Sequence, residues 1–340
     1  MDKKNNKMIS KSKFSIIKNL NNKDWNSFLL DSQNKSIFMY TDYLNLEKNI
    51  NKFIIRKNKQ VVALIALKIE KKNNISNIIE LDRLIYTPII LRNINNSSEA
   101  KKNFEKYEII EFLTSYLTEN YNNINFTLDF HSQDIRPFVW FGFPKYKKKF
   151  LFNINYTSLL NLNNIDNKEF EKSTMFQNFS NTLRQQYRYS LKNKIQIEEN
   201  LSKKVFLKLL EDTFKLQKLK FDKKYYAEIF SVLIKLNKKN LIKMYYVKDQ
   251  NNFITNMAVF SLIGNFSTFM FSGRNSQVDN NNFNGIYLLI KAFKLLKNNG
   301  IKTIDLEGIN SPKRGFYKIG LGGNILPYYS LEIKNCLKFN

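Results

Sequence analysis

An α+β chain built as two tandem domains, each a mixed, mainly antiparallel sheet flanked by helices, is what this sequence predicts. Its 340 residues, 43% of them hydrophobic, can bury a large core, and the length fits two domains better than one. Strand-type and helix-type segments follow the same order in both halves. The two halves also end alike: Phe126 to Gly142 parallels Lys302 to Gly320, with Asp129 seven residues before Arg136 and Asp305 nine before Arg314. The expected organisation is a basic tail over residues 1–13, one domain over 14–154 and a second over 155–335.

In the first half Phe14 to Ile17 reads as a strand. Asp24 to Ser32 and Thr41 to Lys48 read as short helices, the first with Trp25, Phe28 and Leu29 on one face. Phe53 to Arg56, Val61 to Glu70 and Ile75 to Pro88 are rich in β-branched residues and separated by polar turns, the pattern of an antiparallel meander. Glu108 to Asn120 repeats apolar residues at helical spacing, and Asn125 to Phe130 is the strand after it. In the second half the strand Asn155 to Leu162 leads into a helix, Met175 to Asn193, then a strand at Ile195 to Glu198. Helices Lys204 to Leu219 and Lys224 to Leu236 come next. Strands Ile242 to Val247, Ile254 to Leu262 and Phe266 to Gly273, helix Gly285 to Asn298, and strands Thr303 to Glu307 and Leu326 to Ile333 complete it.

The formal charge of +26 points first to nucleic acid or an anionic surface, but it comes from 47 lysines and only 8 arginines beside abundant Asn and Ile. AT-rich codons supply that mixture, so solvated surface lysine accounts for it. Scarce arginine makes each one a better candidate for holding a phosphate or carboxylate through its planar fork. One cysteine, Cys336, and one histidine, His131, exclude a disulfide framework, a Cys/His zinc site and a Ser-His-Asp triad. No apolar stretch approaches membrane-spanning length and no signal-peptide core follows the basic start, so a cytoplasmic protein without a transmembrane segment is expected.

A chain with only ten glycines concentrates most of them between residues 285 and 323. Glycine is used where φ is positive or where main chain approaches a ligand closely, which directs the search for a bound cofactor to this region. Asp305 and Glu307 alternate with apolar residues on one strand, so both carboxylates share a face. That is costly in a buried strand unless they have partners or work to do. Arg184 and Arg188 stand four apart on a helix with Tyr187 adjacent, suited to gripping a phosphate or to pairing with Glu198 or Glu199.

A meander followed by a βαβ-like crossover in each half resembles the GNAT acyltransferase fold. The segment Asp134 to Trp140, the strand Tyr156 to Leu160, the helix with Arg184, Tyr187 and Arg188, and the Asp305 to Gly308 and Phe316 to Gly323 end are together similar to the Fem family of aminoacyltransferases and their two-domain GNAT relatives. The resemblance covers roughly residues 14 to 335. It implies an acyltransferase, with the second domain carrying donor and chemistry and the interdomain cleft taking the acceptor.

By the same resemblance, the helix opening at Asn284, Gly285, Ile286 and Tyr287, with Arg274 before it, would receive the phosphates of the donor, although helix capping explains the same residues. Asp305 or Glu307 would deprotonate the attacking amine, against the alternative of an ion pair with Lys313 or Arg314. Arg136, Arg184, Tyr187, Arg188, Arg314, Phe316 and Tyr317 would contact substrate. The donor is expected to be an acyl-CoA, ahead of aminoacyl-tRNA, with no metal. The acceptor would be an amine on a small, lipid-linked or nucleotide-linked molecule such as a cell-envelope precursor or amino sugar. The sequence departs from the family at Lys215, Gln217, Lys218 and Lys220, where Fem enzymes usually place an arginine. The rival from another class is a non-catalytic RNA- or protein-binding module on a degenerate GNAT fold, supported by basic and aromatic residues interleaved at 145–150 and 223–226.

Overall fold

The structure, a computed structural model, describes residues 13–18, 21–94, 98–145, 148–193, 195–278 and 283–335. The basic tail to residue 12, Asn281, Asn282 and Cys336 lie outside the described residues, as do the side chains of Lys313 and Arg314. The chain forms two compact units, one running up to Asn153 and including the residues from Tyr329 on, the other spanning Ile154–Tyr328. The sequence predicts one domain over 155–335. The end of the last strand departs from it because Ser330 to Ile333 pair with Thr127 to Ile124 in the first unit.

The first unit carries β1 (Phe14–Lys18), α1 (Asn22–Asp31), α2 (Thr41–Leu44), β2 (Ile50–Lys57), β3 (Gln60–Lys72), β4 (Ile75–Ile79), β5 (Ile90–Leu91), α3 (Glu99–Asn120), β6 (Ile124–Thr127) and α4 (Arg136–Val139). Strands β1 to β4 form an antiparallel meander, and α3 carries the chain across to β6, which lies parallel to β4. Within β3, Val62 to Leu67 is buried at every position, which is why its sequence is continuously apolar rather than alternating. Ile109, Leu113 and Leu117 of α3 recur every four residues and are buried against this sheet. The helix begins at Glu99, nine residues before the expected start, because Ser98 caps it by accepting the Lys101 N–H while its polar first turns show no apolar period.

The second unit contains β7 (Leu151–Asn161) from Ile154 on, α5 (Thr174–Asn178), α6 (Asn181–Ser190), β8 (Gln196–Glu199), α7 (Lys203–Leu216), α8 (Lys223–Asn237), β9 (Ile242–Lys248), β10 (Ile254–Ser261), β11 (Phe266–Arg274), α9 (Asn284–Asn298), β12 (Thr303–Asp305), α10 (Pro312–Ile319) and β13 (Asn324–Ile333) up to Tyr328. Its strands run in the order β13-β7-β12-β11-β10-β9-β8. The helix expected over 175–193 is two, because Phe179 is extended and Ser180 caps a new start, its own N–H donating to the Gly320 carbonyl. One face of this sheet is covered by Ile286, Leu289, Ile290 and Phe293 of α9, packed with Phe260, Ile304 and Leu306. β8 to β11 are antiparallel, whereas β11 and β12 are parallel and joined through α9.

Candidate active site

The parallel pair β11 and β12 is short. Phe266, Ser267 and Thr268 pair with Thr303, Ile304 and Asp305, after which β11 continues to Arg274 against β10 alone. Beyond Asp305 the chain follows β7 instead, Leu306 donating to the Ser158 carbonyl and Ile309 to that of Tyr156, each at 2.9 Å. The two strands therefore take separate partners from this point. Because α9 returns the chain from the end of β11 to the start of β12, its first turn stands at the sheet end where both strands finish. In open α/β sheets that is the end where ligands bind.

Asp305 is 1% exposed, and its Oδ1 accepts from the Thr157 hydroxyl and from the Glu307 N–H, the latter at 2.8 Å. Two donors on one oxygen suit a carboxylate. Glu307 is buried as well, and it ends β12 two residues short of the expected strand because its φ is +59°, a region non-glycine residues seldom occupy. Burial pushes its carboxyl well above the usual carboxylate range; the Asp305 charge adds to this, and the Lys318 ammonium opposes it. Lys318 also donates to the Gly308 carbonyl at 3.3 Å.

Tyr328, buried on β13, accepts at its hydroxyl from the Asn310 side chain at 2.8 Å, and Asn310 in turn accepts from the Tyr156 N–H at 2.7 Å. Burial raises the Tyr328 phenol to about 12, with the charges of Asp305 and Glu307 contributing and the Asn310 bond opposing. The phenol therefore keeps its proton at neutral pH and can donate it to a hydrogen bond. Thr157, Tyr328, Asn310 and Lys318 were not singled out from the sequence. Each is an ordinary residue type with no local motif; strands β7 and β13 bring Thr157 and Tyr328 to the carboxylates, Asn310 follows Glu307 by three residues, and α10 folds Lys318 back toward them.

The glycine cluster has a different explanation from ligand approach. A β-carbon at Gly315 would stand 2.6 Å from the Ile309 carbonyl, one at Gly322 2.3 Å from that of Asn178, and one at Gly323 2.4 Å from the Ser158 hydroxyl. Those glycines let α10 and the turn after it lie against their own unit. Gly285 has more room, its nearest neighbour being the Asn256 amide at 3.3 Å.

Of the residues expected to hold the donor, Asn284 is buried with both side-chain atoms engaged, its amide donating to Thr255 and its oxygen accepting from Asn193. Ile286 is in the core, and Tyr287 packs against it with the Lys291 ammonium over its ring. Arg274 donates to the Val278 carbonyl at 3.0 Å. What this terminus offers is main chain. The residue before α9, Phe283, is in the left-handed region without a side-chain cap, and among the described residues no group accepts from the Gly285 and Ile286 amides. Such a terminus carries partial positive charge.

Several expected substrate contacts have other work. Arg136 closes on Asp134 through two bonds of 2.7 and 2.6 Å, which lowers the Asp134 pKa and occupies the guanidinium fork. Tyr187 is core, edge-on to Phe170 and Phe176, with burial raising it to about 12. Arg188 pairs with Glu171 at 2.8 Å, and Arg184 donates to Gln177 and Asn181, so the alternative of pairing with Glu198 or Glu199 does not hold; those two pair with Lys248 and Lys243. On α10, Phe316 is 73% exposed and Tyr317 36% exposed, although the surroundings of the Tyr317 hydroxyl raise its pKa by desolvation. Arg314 lies on the same helix, its side chain outside the described residues, so the proposed Arg314 pair is not described either. Among the described residues no group of three or more His, Cys, Asp or Glu side chains could hold a metal ion.

The chain has the fold of FemX, with a buried carboxylate pair at the end of the strand after the crossover helix. FemX superposes at a TM-score of 0.65 over 93% of this chain and 96% of its own, at 11% identity. A conserved protein of unknown function from Bacteroides thetaiotaomicron matches at 0.60, covering 94% and 100% at 10% identity, and L-PGS from Bacillus licheniformis at 0.53, covering 93% of each at 12% identity. No family model matches the chain, and no curated protein matches it by sequence.

Proposed function

We propose that the protein is an acyltransferase that moves an acyl or aminoacyl group from an activated carrier to an amine, with the chemistry in the second unit. The observation that carries this reading is the buried pair Asp305 and Glu307. A carboxyl whose pKa burial raises is, once ionised, a stronger base than an ordinary carboxylate, and it can accept the proton that an ammonium must lose before it attacks a carbonyl. Asp305, held by Thr157 and the Glu307 N–H, fixes the backbone that presents it.

In the proposed step the acceptor ammonium gives a proton to Glu307 and its nitrogen attacks the acyl carbonyl. The tetrahedral oxyanion is met by hydrogen-bond donors, for which the Tyr328 phenol is a candidate. Collapse breaks the bond to the carrier, the nitrogen gives up its second proton, and the carrier's thiolate or alkoxide takes up that proton, while the one held by Glu307 returns to solvent. The start of α9, where among the described residues no group accepts from the Gly285 and Ile286 amides, supports a donor with phosphates. An acyl-CoA thioester is the donor we favour, and a cell-envelope precursor or amino sugar the acceptor class.

A second reading, aminoacyl-tRNA as donor, is favoured by the likeness to FemX. Mass spectrometry of small molecules retained by the purified protein, followed by turnover assays with acetyl-CoA and with aminoacyl-tRNA on amino-sugar acceptors, tests both. Absence of transfer from either donor, by a protein that binds neither, overturns the acyltransferase reading.

A further inference from the structure

The first unit exposes an apolar surface that the reaction does not use. On α3, Phe104 is 70% exposed, and one turn further on Tyr107 lies 5.8 Å from the Trp140 ring. The Arg136 guanidinium sits against both rings, 5.6 Å from the Tyr107 centroid and 5.4 Å from that of Trp140. Following Arg136, the α4 segment turns Phe138 inward onto Phe126 and Phe150, while Val139, Trp140 and Phe143 stay exposed, Phe143 by 71%. The protruding side chains therefore stand on a packed base.

The charge around this surface is one-sided. Lys101 precedes Phe104 by one turn, and Lys145 and Lys149 follow Phe143; all three are exposed. The nearby acidic groups are engaged: Asp134 with Arg136, Glu105 with Arg92, Glu108 with Lys57 at 3.3 Å, Glu99 with Lys102 at 2.6 Å, and Glu111 with the Tyr107 hydroxyl at 3.1 Å. What faces solvent is an indole and two phenyl rings with a lysine rim, beside four ion-paired carboxylates and Glu111, which keeps its charge.

We infer that this surface docks on an anionic lipid bilayer, with Trp140, Phe143 and Phe104 entering the headgroup region and Lys101, Lys145 and Lys149 lying over the anionic headgroups. Aromatic side chains favour that depth, and clustered lysines add an attraction that depends on lipid charge and on salt. Nucleic acid fits less well. Arg136 has its fork on Asp134 and covers one face of Trp140, which leaves neither a phosphate fork nor a free stacking platform at the centre.

Vesicle flotation at physiological salt tests this, comparing phosphatidylglycerol–phosphatidylcholine vesicles with pure phosphatidylcholine. The full chain is expected to bind the anionic vesicles at least about tenfold more strongly, and Trp140→Ser with Phe143→Ser to lose about tenfold or more at an unchanged melting temperature. Lys145→Glu with Lys149→Glu should remove the preference for phosphatidylglycerol. The only other tryptophan, Trp25, is fully buried, so a blue shift of emission on adding vesicles reports Trp140. Failure of the full chain to bind vesicles, undiminished binding by the serine variant, or binding to a single-stranded oligonucleotide in place of vesicles overturns the inference.

Discussion

Asp305 accepts the main-chain N–H of Glu307 at 2.8 Å, so one carboxylate of the pair fixes the backbone that presents the other. The division of labour separates two substitutions. Glu307→Gln keeps size and removes the proton acceptor, and is expected to lower turnover by roughly 10² or more with donor affinity little changed. Asp305→Ala leaves the Thr157 hydroxyl and the Glu307 N–H buried without their acceptor, a loss of about 1–3 kcal/mol for each group, and should lower the melting temperature as well as the rate. Thermal melts and steady-state kinetics on the two variants check this. Full turnover in Glu307→Gln removes the assignment of the base.

The pH dependence of stability follows from the direction of the Glu307 shift. Its carboxyl binds a proton more tightly in the folded chain than in the unfolded one, so the folded state holds more protons between the two pKa values. Stability is then full below the unfolded value near 4.5 and falls as pH rises through the window up to the folded value. Glu307→Gln has no such proton to lose. Its melting temperature relative to wild type should therefore be higher at pH 8 than at pH 5, and an equal difference at both contradicts the raised carboxyl.

Activity should titrate through the same group. If Glu307 must be ionised to take the proton, kcat/KM rises with pH along a limb whose apparent pKa lies above the ordinary carboxylate range. Lys318 opposes the shift, so Lys318→Met should move that limb to higher pH. A limb unmoved in Lys318→Met argues that another group is the base.

Two glycines near the site are expected to differ in what they tolerate. Gly322 combines φ of +68° with a β-carbon position 2.3 Å from the Asn178 carbonyl, so Gly322→Ala should cost about 1–3 kcal/mol or more. At Gly285, in the first turn of α9, alanine needs only a few tenths of an ångström from the Asn256 side chain, and its helix propensity offsets this by up to about 1 kcal/mol. Denaturant unfolding of the two variants measures the contrast.

The sheet and most helices were legible because burial imposes periodicity: the apolar run Val61 to Leu67, the meander around it and the four-residue repeat in α3 left little choice of element. Asp305 and Glu307 were legible because paired carboxylates in an apolar strand are conspicuous. Arg136 and Tyr187 were misleading, since residue type alone does not reveal that Asp134 fills one fork or that Phe170 and Phe176 enclose the other ring. The glycine cluster misled in a related way. The expected approach is to a ligand, whereas the group that meets Gly315 and Gly322 is the chain's own carbonyl, and Gly322 also has a positive φ. Thr157 and Tyr328 reach the site only through the pairing of residues far apart in sequence, which carries no local signature.

Donor identity gives a last contrast, between a specific phosphate site and generic charge. If the Gly285 and Ile286 amides receive the phosphates of a coenzyme A thioester, acetyl-CoA at about 100 times its dissociation constant should stabilise the protein by about 2.7 kcal/mol, visible in a thermal shift. Gly285→Val puts a branched side chain where those phosphates would approach, and should raise the apparent donor constant while leaving turnover at saturation largely intact. Attraction of tRNA through 47 lysines, with few arginine forks, should instead fall steeply with salt and fail to distinguish charged from uncharged tRNA. Filter binding at physiological salt separates the two cases. Tight binding that depends on the aminoacyl group, with no thermal shift from acetyl-CoA, would establish aminoacyl-tRNA as the donor and leave the Glu307 chemistry unchanged.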